Sequence, residues 1–490
     1  MNGHDIINIL SDIIIEHNFP LDMEINHITN NTNNIKPGSV FVCIKGNNFD
    51  GHDFIKTAIE FHANLIISEN AKKTPIDYPY ILVSDTKEAY ALLNYAYYNI
   101  NFEDFNFIGV TGTNGKTTVI SLIHHVLTQT QNSSLISTVG IKLNDELLYE
   151  PYNTTPGVDE IAKIINLSKE RSIKNICIEV SSHALSQKRV FKIPFKIAIL
   201  TNITRDHLDY HSSFEEYKQT KYSLFKQLDG IGIINLDAIN PNEVPYDNLI
   251  TYGFDTNSDY IIKDVEYNNS QMSFTIVEPD GIENNIHTNL IGEYNAQNIT
   301  AAFVALINLG IEREEIRHNI STFTGVPGRF QLVENTKDIE YKVYIDFAHT
   351  PDALEKVLKS ARKITKGRVI LVFGAGGSAD IGKRKIMGEI ASKYSDLIII
   401  TDDDPKDDDP DEIIEQILEG INKEKTYIVI RNRKTAIKAA ISFASRDDII
   451  IIAGRGHEKF QLYENGRKIP FNDYEVAYDI VQKFRKVMKR

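Results

Sequence analysis

Short apolar runs, rich in Ile, Val and Phe, alternate along this chain with longer stretches in which apolar residues recur every third or fourth position. The first pattern predicts buried strands and the second amphipathic helices. In residues 1–104 strands are predicted at 39–44 and 64–67, and helices at 55–61 and 87–99. In residues 105–328 strands are predicted at 105–110, 175–180, 196–201 and 232–236, with a helix opening at 119. Alternating segments at 260–265 and 271–277 flank Asn268-Asn269-Ser270 and read as a hairpin. In residues 329–490 strands are predicted at 369–373, 397–401, 427–430 and 449–453, and helices at 411–421 and 434–444. Strand–helix alternation predicts parallel sheets, hence an α/β fold, here in three domains with Val326-Pro327-Gly328 as the last junction. Ligands of such sheets bind beyond the carboxyl ends of the strands.

Composition narrows the function. The 490 residues suffice for several cores, and 42% hydrophobic with 24% charged residues is ordinary for globular chains. A net charge of -14 without a basic tract argues against nucleic acid as partner. Two distant cysteines, Cys43 and Cys177, fit a reducing compartment and exclude a disulfide framework. Met1-Asn2-Gly3-His4-Asp5 lacks the basic flank of a signal peptide, and no apolar run is long enough to span a membrane. A cytoplasmic monomer acting on small molecules is expected.

The densest chemistry is Gly112-Thr113-Asn114-Gly115-Lys116-Thr117-Thr118, between a predicted strand and a predicted helix. Glycines let backbone N–H groups approach phosphate oxygens, and a helix N-terminus adds positive potential. Lys116 would reach the terminal phosphates and the Thr117 hydroxyl would ligate magnesium. The usual loop carries a glycine five residues before Gly115; here that position is Val110, so the loop is a compact variant. Glu179, closing a strand, suits either a magnesium ligand or a helix cap. Thr201 to His211 crowds polar groups at another strand end. Ser213 and Glu216 have capping-box spacing, and Lys221 falls on the apolar stripe of the helix they open, with Phe214, Tyr217, Leu224, Phe225 and Leu228. An inward lysine is either an ion-pair partner or a neutral amine able to take up carbon dioxide as a metal-binding carbamate. Thr154, Thr155, Ser181, Gln187 and Arg189 suit an anionic, hydroxyl-rich substrate. The run from Asp402 to Pro410 reads alone as a solvated acidic loop. With Glu458, Arg384 and Lys406 it could instead grip a molecule bearing amino and carboxyl groups.

In order, these stretches resemble the Mur ligases, in particular the MurE type. The resemblance also rests on Gly292-x-x-Asn295-x-x-Asn298, Gly325-Val326-Pro327-Gly328-Arg329, Asp346-Phe347-Ala348-His349, Gly382-Lys383-Arg384 and Gly454-Arg455-Gly456-His457-Glu458. It implies a uridine-nucleotide domain (1–104), a central ATP-binding domain (105–328) and a Rossmann-like amino-acid domain (329–490). The implied reaction adds a diamino acid to UDP-N-acetylmuramoyl-L-alanyl-D-glutamate through an acyl phosphate, in peptidoglycan synthesis. By resemblance Lys116, Glu179, His207 and Lys221 are catalytic. Thr117 and Glu179 hold one magnesium, and His207 with carbamylated Lys221 holds a second. The loop 112–118 with Asn295, Asn298, Arg329 and Asp346 contacts ATP. Thr32, Asn47, Asn48, Thr154, Thr155, Ser181, Gln187 and Arg189 contact the UDP-muramoyl-peptide. Arg384, Asp403, Asp404, Pro405, Lys406, Gly454 and Glu458 contact the amino acid.

Two departures stand out. Asn31-Thr32-Asn33 occupies a place where the family often has Asp-Ser-Arg. Diaminopimelate-using members carry Asp-Asn-Pro-Arg where this chain has Asp403-Asp404-Pro405-Lys406. Lys406 keeps a cation that could pair with a distal carboxylate, which favours meso-diaminopimelate; L-lysine and L-ornithine are the alternatives. A folate or cyanophycin-type ligase, a P-loop kinase or GTPase, and a non-catalytic binding paralogue are further alternatives. The retained Lys116, Glu179, His207 and Lys221 argue against the last.

Overall fold

The computed structural model describes residues 1–46, 49–268, 271–334, 339–378 and 380–488. The chain divides into two compact units, one of Met1–Gly109, Asn132–Lys196 and Gln227–Asp229, the other of Val110–Gln131, Ile197–Lys226 and Gly230–Arg490.

The first unit holds a five-stranded sheet in the order Ile14–Asn18, Tyr80–Val83, Leu65–Ser68, Ser39–Val42, His27–Thr29. All pairings are parallel except that of Ile14–Asn18. The middle three strands are buried at every position, as parallel strands covered on both faces must be, whereas Ile14–Asn18 is the wet edge. Helix Thr86–Tyr97 starts where Asp85 accepts from the N–H groups of Lys87 and Glu88, and buries Ala89, Tyr90 and Leu93. The same unit contains Asn175–Glu179 paired in parallel with Ser133–Ser137, from which Gly140–Leu143 and Glu146–Tyr149 continue as an antiparallel meander.

In the second unit Leu228–Asn235, Leu249–Gly253 and Tyr260–Asn268 run parallel, and the hairpin partners Gln271–Val277 and Glu283–Thr288 extend the sheet antiparallel. The hairpin register begins at Asn268 opposite Gln271; Asn269 and Ser270 lie outside the described residues. A six-stranded sheet follows in the order Gln331–Leu332, Lys342–Asp346, Ile449–Ala453, Val369–Phe373, Leu397–Ile400, Thr426–Val429. Its long strands are parallel and fully apolar at the centre, with Ile437, Ile441, Ala477 and Val481 from flanking helices closing the core.

The α/β class expected from the alternation is present in both units. Some local readings change. The helix at Ser213, capped as its spacing predicts, ends at Tyr222 and gives way to a 3-10 turn over Ser223–Gln227. Leu228 then opens a strand four residues earlier than the predicted 232. Phe214 is exposed rather than part of the buried stripe, while Tyr217, Lys221, Leu224 and Phe225 are buried. Among the described residues no helix is long and apolar enough to cross a membrane.

Candidate active site

The glycine loop sits where strand Asn106–Thr111 turns into helix Lys116–Thr130. Gly112 and Gly115 have φ of +145° and +92°. A Cβ on Gly112 would lie 2.0 Å from Thr201 Oγ1, and one on Gly115 2.3 Å from Asn298 Oδ1, so conformation and space both demand glycine. The polar cluster after the next strand builds this loop. Thr201 Oγ1 donates to the Asn114 carbonyl (2.6 Å), Asn202 Oδ1 accepts from Asn114 N–H (2.9 Å), and Thr204 N–H donates to Thr113 Oγ1 (2.9 Å).

Three basic side chains converge here. Lys116 Nζ donates to the carbonyls of Gly112 (3.1 Å) and Thr113 (2.8 Å), and Lys221 Nζ to that of Gly112 (2.7 Å). Lys221 is 1% exposed and lies 4.5 Å from the centre of the Tyr217 ring. Burial, reinforced by Lys116, drives its ammonium well below the ordinary lysine range. His207 takes a left-handed φ of +52°. Burial lowers its pKa to about 4, against the pull of Asp206 at 3.5 Å and with the push of Lys116 and Lys221. His207 is therefore a neutral imidazole at neutral pH, and Lys221 is shifted toward the neutral amine.

The same unit gathers the expected nucleotide residues around one cavity, lined among others by Asn114, Gly115, Thr117, Thr118, Asn295, Asn298, Arg329 and Asp346. Arg329 Nη2 donates to Thr117 Oγ1 (3.3 Å) and its guanidinium covers the Phe347 ring. Asp346 accepts from Phe330 N–H (2.6 Å) and Ala348 N–H (2.7 Å), yet burial still raises its pKa to about 6. Further polar pairs lie in the same unit. Asn114 Nδ2 donates to Asp352 (2.8 Å), and Arg205 grips both oxygens of Asp380 (2.7 and 3.1 Å).

In the first unit Glu179 is 1% exposed, and one oxygen accepts from Ser137 Oγ (2.6 Å), Thr138 N–H and Thr138 Oγ1 (both 3.1 Å). Thr155 Oγ1 donates to the Glu179 carbonyl (2.7 Å) and accepts from Ser181 N–H (3.0 Å). Arg189 Nη1 reaches the Thr155 carbonyl (2.6 Å) while Nε and Nη2 hold Gln187 Oε1 (3.1 and 2.7 Å). Gln187 and Arg189 line a cavity with Asn30, Lys45, Tyr90 and Asn153. Thr154 is half-buried in the loop before Thr155, and Thr32 stands in a 3-10 turn capped by Asn31. Asn47 and Asn48 lie outside the described residues. Ser137 and Thr138 gave no signal in sequence, since hydroxyls at a strand end are commonplace.

The acidic run is not a solvated loop at its start. Asp402, Asp403 and Asp404 are 8%, 7% and 8% exposed. Distant arginines explain the correction. Arg455 pairs with Asp404 and lies 3.8 Å from Asp403 and 3.6 Å from Glu458. Arg433 forms a fully buried fork on Asp473 (2.8 and 2.7 Å) and lies 3.9 Å from Asp403. Burial raises the pKa of Asp403, and that of Glu458 to about 8, despite both arginines. Gly454, with φ of +117°, leaves room for Asp403, whose Oδ2 would be 2.1 Å from a Cβ there. Pro405 is buried, and Lys406, left-handed at φ +51°, is half-buried with its N–H on the Leu462 carbonyl (3.0 Å). Arg384 is 2% exposed, and its Nη groups go to Gln416, the Gly376 carbonyl and Asp408, so it also braces the loop.

Family models match in the same order as these features: Mur ligase family, catalytic domain, over residues 24–98; Mur ligase middle domain over 110–306; and Mur ligase, glutamate ligase domain, over 328–456. The chain is also 37% identical, over 99% of both chains, to the UDP-N-acetylmuramoyl-L-alanyl-D-glutamate--2,6-diaminopimelate ligase of Clostridioides difficile (strain 630). The chain belongs to the Mur ligase family. The Aquifex aeolicus (strain VF5) ligase of the same name is 38% identical over 93% of each chain. A solved structure of a UDP-N-acetylmuramoyl-L-alanyl-D-glutamate--2,6-diaminopimelate ligase superposes on this Mur ligase with a TM-score of 0.69 at 27% identity, covering 99% of each chain.

Proposed function

We propose that this Mur ligase joins meso-diaminopimelate to UDP-N-acetylmuramoyl-L-alanyl-D-glutamate at the expense of ATP, in the cytoplasm and as a monomer. A carboxylate is a poor electrophile, so the D-glutamyl carboxylate first takes the terminal phosphoryl group, releasing ADP. The amine then attacks the acyl carbon, loses a proton and expels phosphate. Segments 1–104, 105–328 and 329–490 would bind the uridine nucleotide, ATP and the amino acid respectively.

Lys116 and the loop N–H groups would bind the terminal phosphates, and Asn295, Asn298, Arg329 and Asp346 the rest of ATP. Thr155, Ser181, Gln187 and Arg189, joined by hydrogen bonds, would orient the muramoyl-peptide, with Thr154 and Thr32 beside it. The donors are of the kinds magnesium takes: the Thr117 hydroxyl would bind an ion beside the phosphates, neutral His207 with a carbamate on Lys221 a second, and the Glu179 carboxylate is a further oxygen donor. When bound, such ions neutralise charge on the transferring phosphoryl group. Carbamate formation needs an uncharged amine, and burial shifts Lys221 toward that form. That amine, 2.7 Å from a loop carbonyl, is the observation that carries the ligase reading. Nucleotide binding alone has no use for a second buried lysine at the loop.

Asp403, Glu458 and Gly454 would receive the amino acid's ammonium end, and Lys406 its distal carboxylate. Asp404 stands where diaminopimelate-using members carry asparagine, and Arg455 pairs with the charge it adds. Phosphate release from ATP with UDP-muramoyl-dipeptide and meso-diaminopimelate, L-lysine or L-ornithine tests this. Release should require a diamino acid and be fastest with diaminopimelate; release indifferent to all three sinks the reading.

A further inference from the structure

Two amides in the nucleotide cavity have their orientation fixed by one aspartate. Asn235, at the end of strand Leu228–Asn235, and Gln297, on helix Glu293–Asn308, both line that cavity. Asp237 N–H donates to Asn235 Oδ1 (3.1 Å), and Gln297 Nε2 donates to Asp237 Oδ2 (2.7 Å). The Asp237 carboxylate also accepts from the N–H groups of Phe254 (3.0 and 2.9 Å) and Asp255 (2.9 Å). Gly253 makes room for it, since a Cβ there would be 2.7 Å from Asp237 Oδ1. An ionised carboxylate only accepts, so Gln297 cannot turn its carbonyl toward Asp237. An N–H only donates, so Asn235 cannot turn its amino group toward residue 237.

The cavity is therefore offered one acceptor, Gln297 Oε1, and one donor, Asn235 Nδ2. Asn235 is 3% exposed, so its amide is costly to leave without a partner. We propose that Asn235 and Gln297, both set by Asp237, read the nucleobase of the bound nucleotide as adenine. Gln297 Oε1 accepts from the 6-amino group and Asn235 Nδ2 donates to the adjoining ring nitrogen, the pairing an amide makes with one edge of adenine. Hypoxanthine and guanine carry an oxygen at position 6, which would meet Gln297 Oε1 acceptor to acceptor. Tyr252 and Tyr294, in the same lining, supply aromatic surface for the base plane.

The inference rests on the ATP reading of this cavity, and its test separates the two. Inosine triphosphate exchanges the 6-amino group for oxygen and leaves the phosphates alone. The wild-type kcat/KM should favour ATP over ITP by about 10- to 100-fold. Gln297→Leu should bring the ratio to within about threefold by losing ATP activity. Asp237→Asn, whose side chain can donate as well as accept, should let the Gln297 amide turn and raise ITP use. Calorimetric binding of ADP and IDP to the same proteins reports the preference even if no amino acid is ever ligated. A ratio unchanged in both variants, or equal losses with both nucleotides, overturns the proposal.

Discussion

The glycine loop and the acid cluster both bury charge-bearing side chains, but they handle the charge in opposite ways. At the loop, Lys221 meets a carbonyl and an aromatic ring, and desolvation pushes it toward the neutral amine. At the cluster, Arg433 and Arg455 are buried against the carboxylates of Asp473 and Asp404, which hold them in place. The first arrangement weakens the charge on a buried amine. The second yields a scaffold of buried ion pairs with Asp403 and Glu458 beside it. Burial alone does not say which outcome follows; the partner does.

The largest expected effect tests the loop side. Lys221→Ala should lower ligase activity by about a thousandfold or more, the scale of a lost transition-state charge contact. Short carboxylates such as acetate should restore part of it by supplying the missing anion. Full activity in the variant would remove the carbamate from the mechanism. On the cluster side, Arg455→Ala should destabilise the fold by about 3–5 kcal/mol, because it leaves Asp404 buried without its ion partner. Adding Asp404→Asn to Arg455→Ala should recover most of that loss in denaturant unfolding. No recovery would show that Asp404 is not the group Arg455 neutralises.

This contrast also explains what the chain revealed before its structure. Gly112, Gly115, Lys116 and Thr117 lie within six residues, and their spacing in one strand–loop–helix unit is the signal. Lys221 was legible as inward-facing because a capping box fixed the helix phase, although the stripe failed at Phe214, where solvent takes the first turn. The acid cluster was opaque. Asp404 and Arg455 are 51 residues apart, and Arg433 and Asp473 are 40. A run of aspartates looks solvated until parallel pairing brings Ile449–Ala453 and Leu397–Ile400 into one sheet and places their ends together. Arg384 is a related case: its place in a motif is visible in the sequence, but its bonds to Gln416 and Asp408 are not.

A pH measurement sharpens the comparison at a smaller scale. Asp346 holds its proton in the folded state up to about pH 6, against an ordinary value of 3.8. Between those values the native state binds more protons than the unfolded chain, so stability should fall as pH rises through the window. The loss is at most about 3 kcal/mol. Asp346→Asn should flatten that slope; an unchanged slope would move the effect to another group.

The smallest effect concerns Lys406, which stands at the edge of the acid scaffold without belonging to it. Its cation is half-buried, and its left-handed backbone is held by the Leu462 carbonyl and not by its side chain. Removing the amine should therefore leave the fold nearly untouched and act on the ligand alone. Lys406→Ala should reduce kcat/KM for meso-diaminopimelate by about tenfold, the value of one partly exposed charge-assisted contact, and barely change that for L-lysine. Lys406→Arg should match or exceed the wild type with diaminopimelate, since a guanidinium can hold both carboxylate oxygens. Equal losses on both amino acids in Lys406→Ala would mean that the cation tunes the scaffold's field, and that selection between diamino acids lies elsewhere in the cluster.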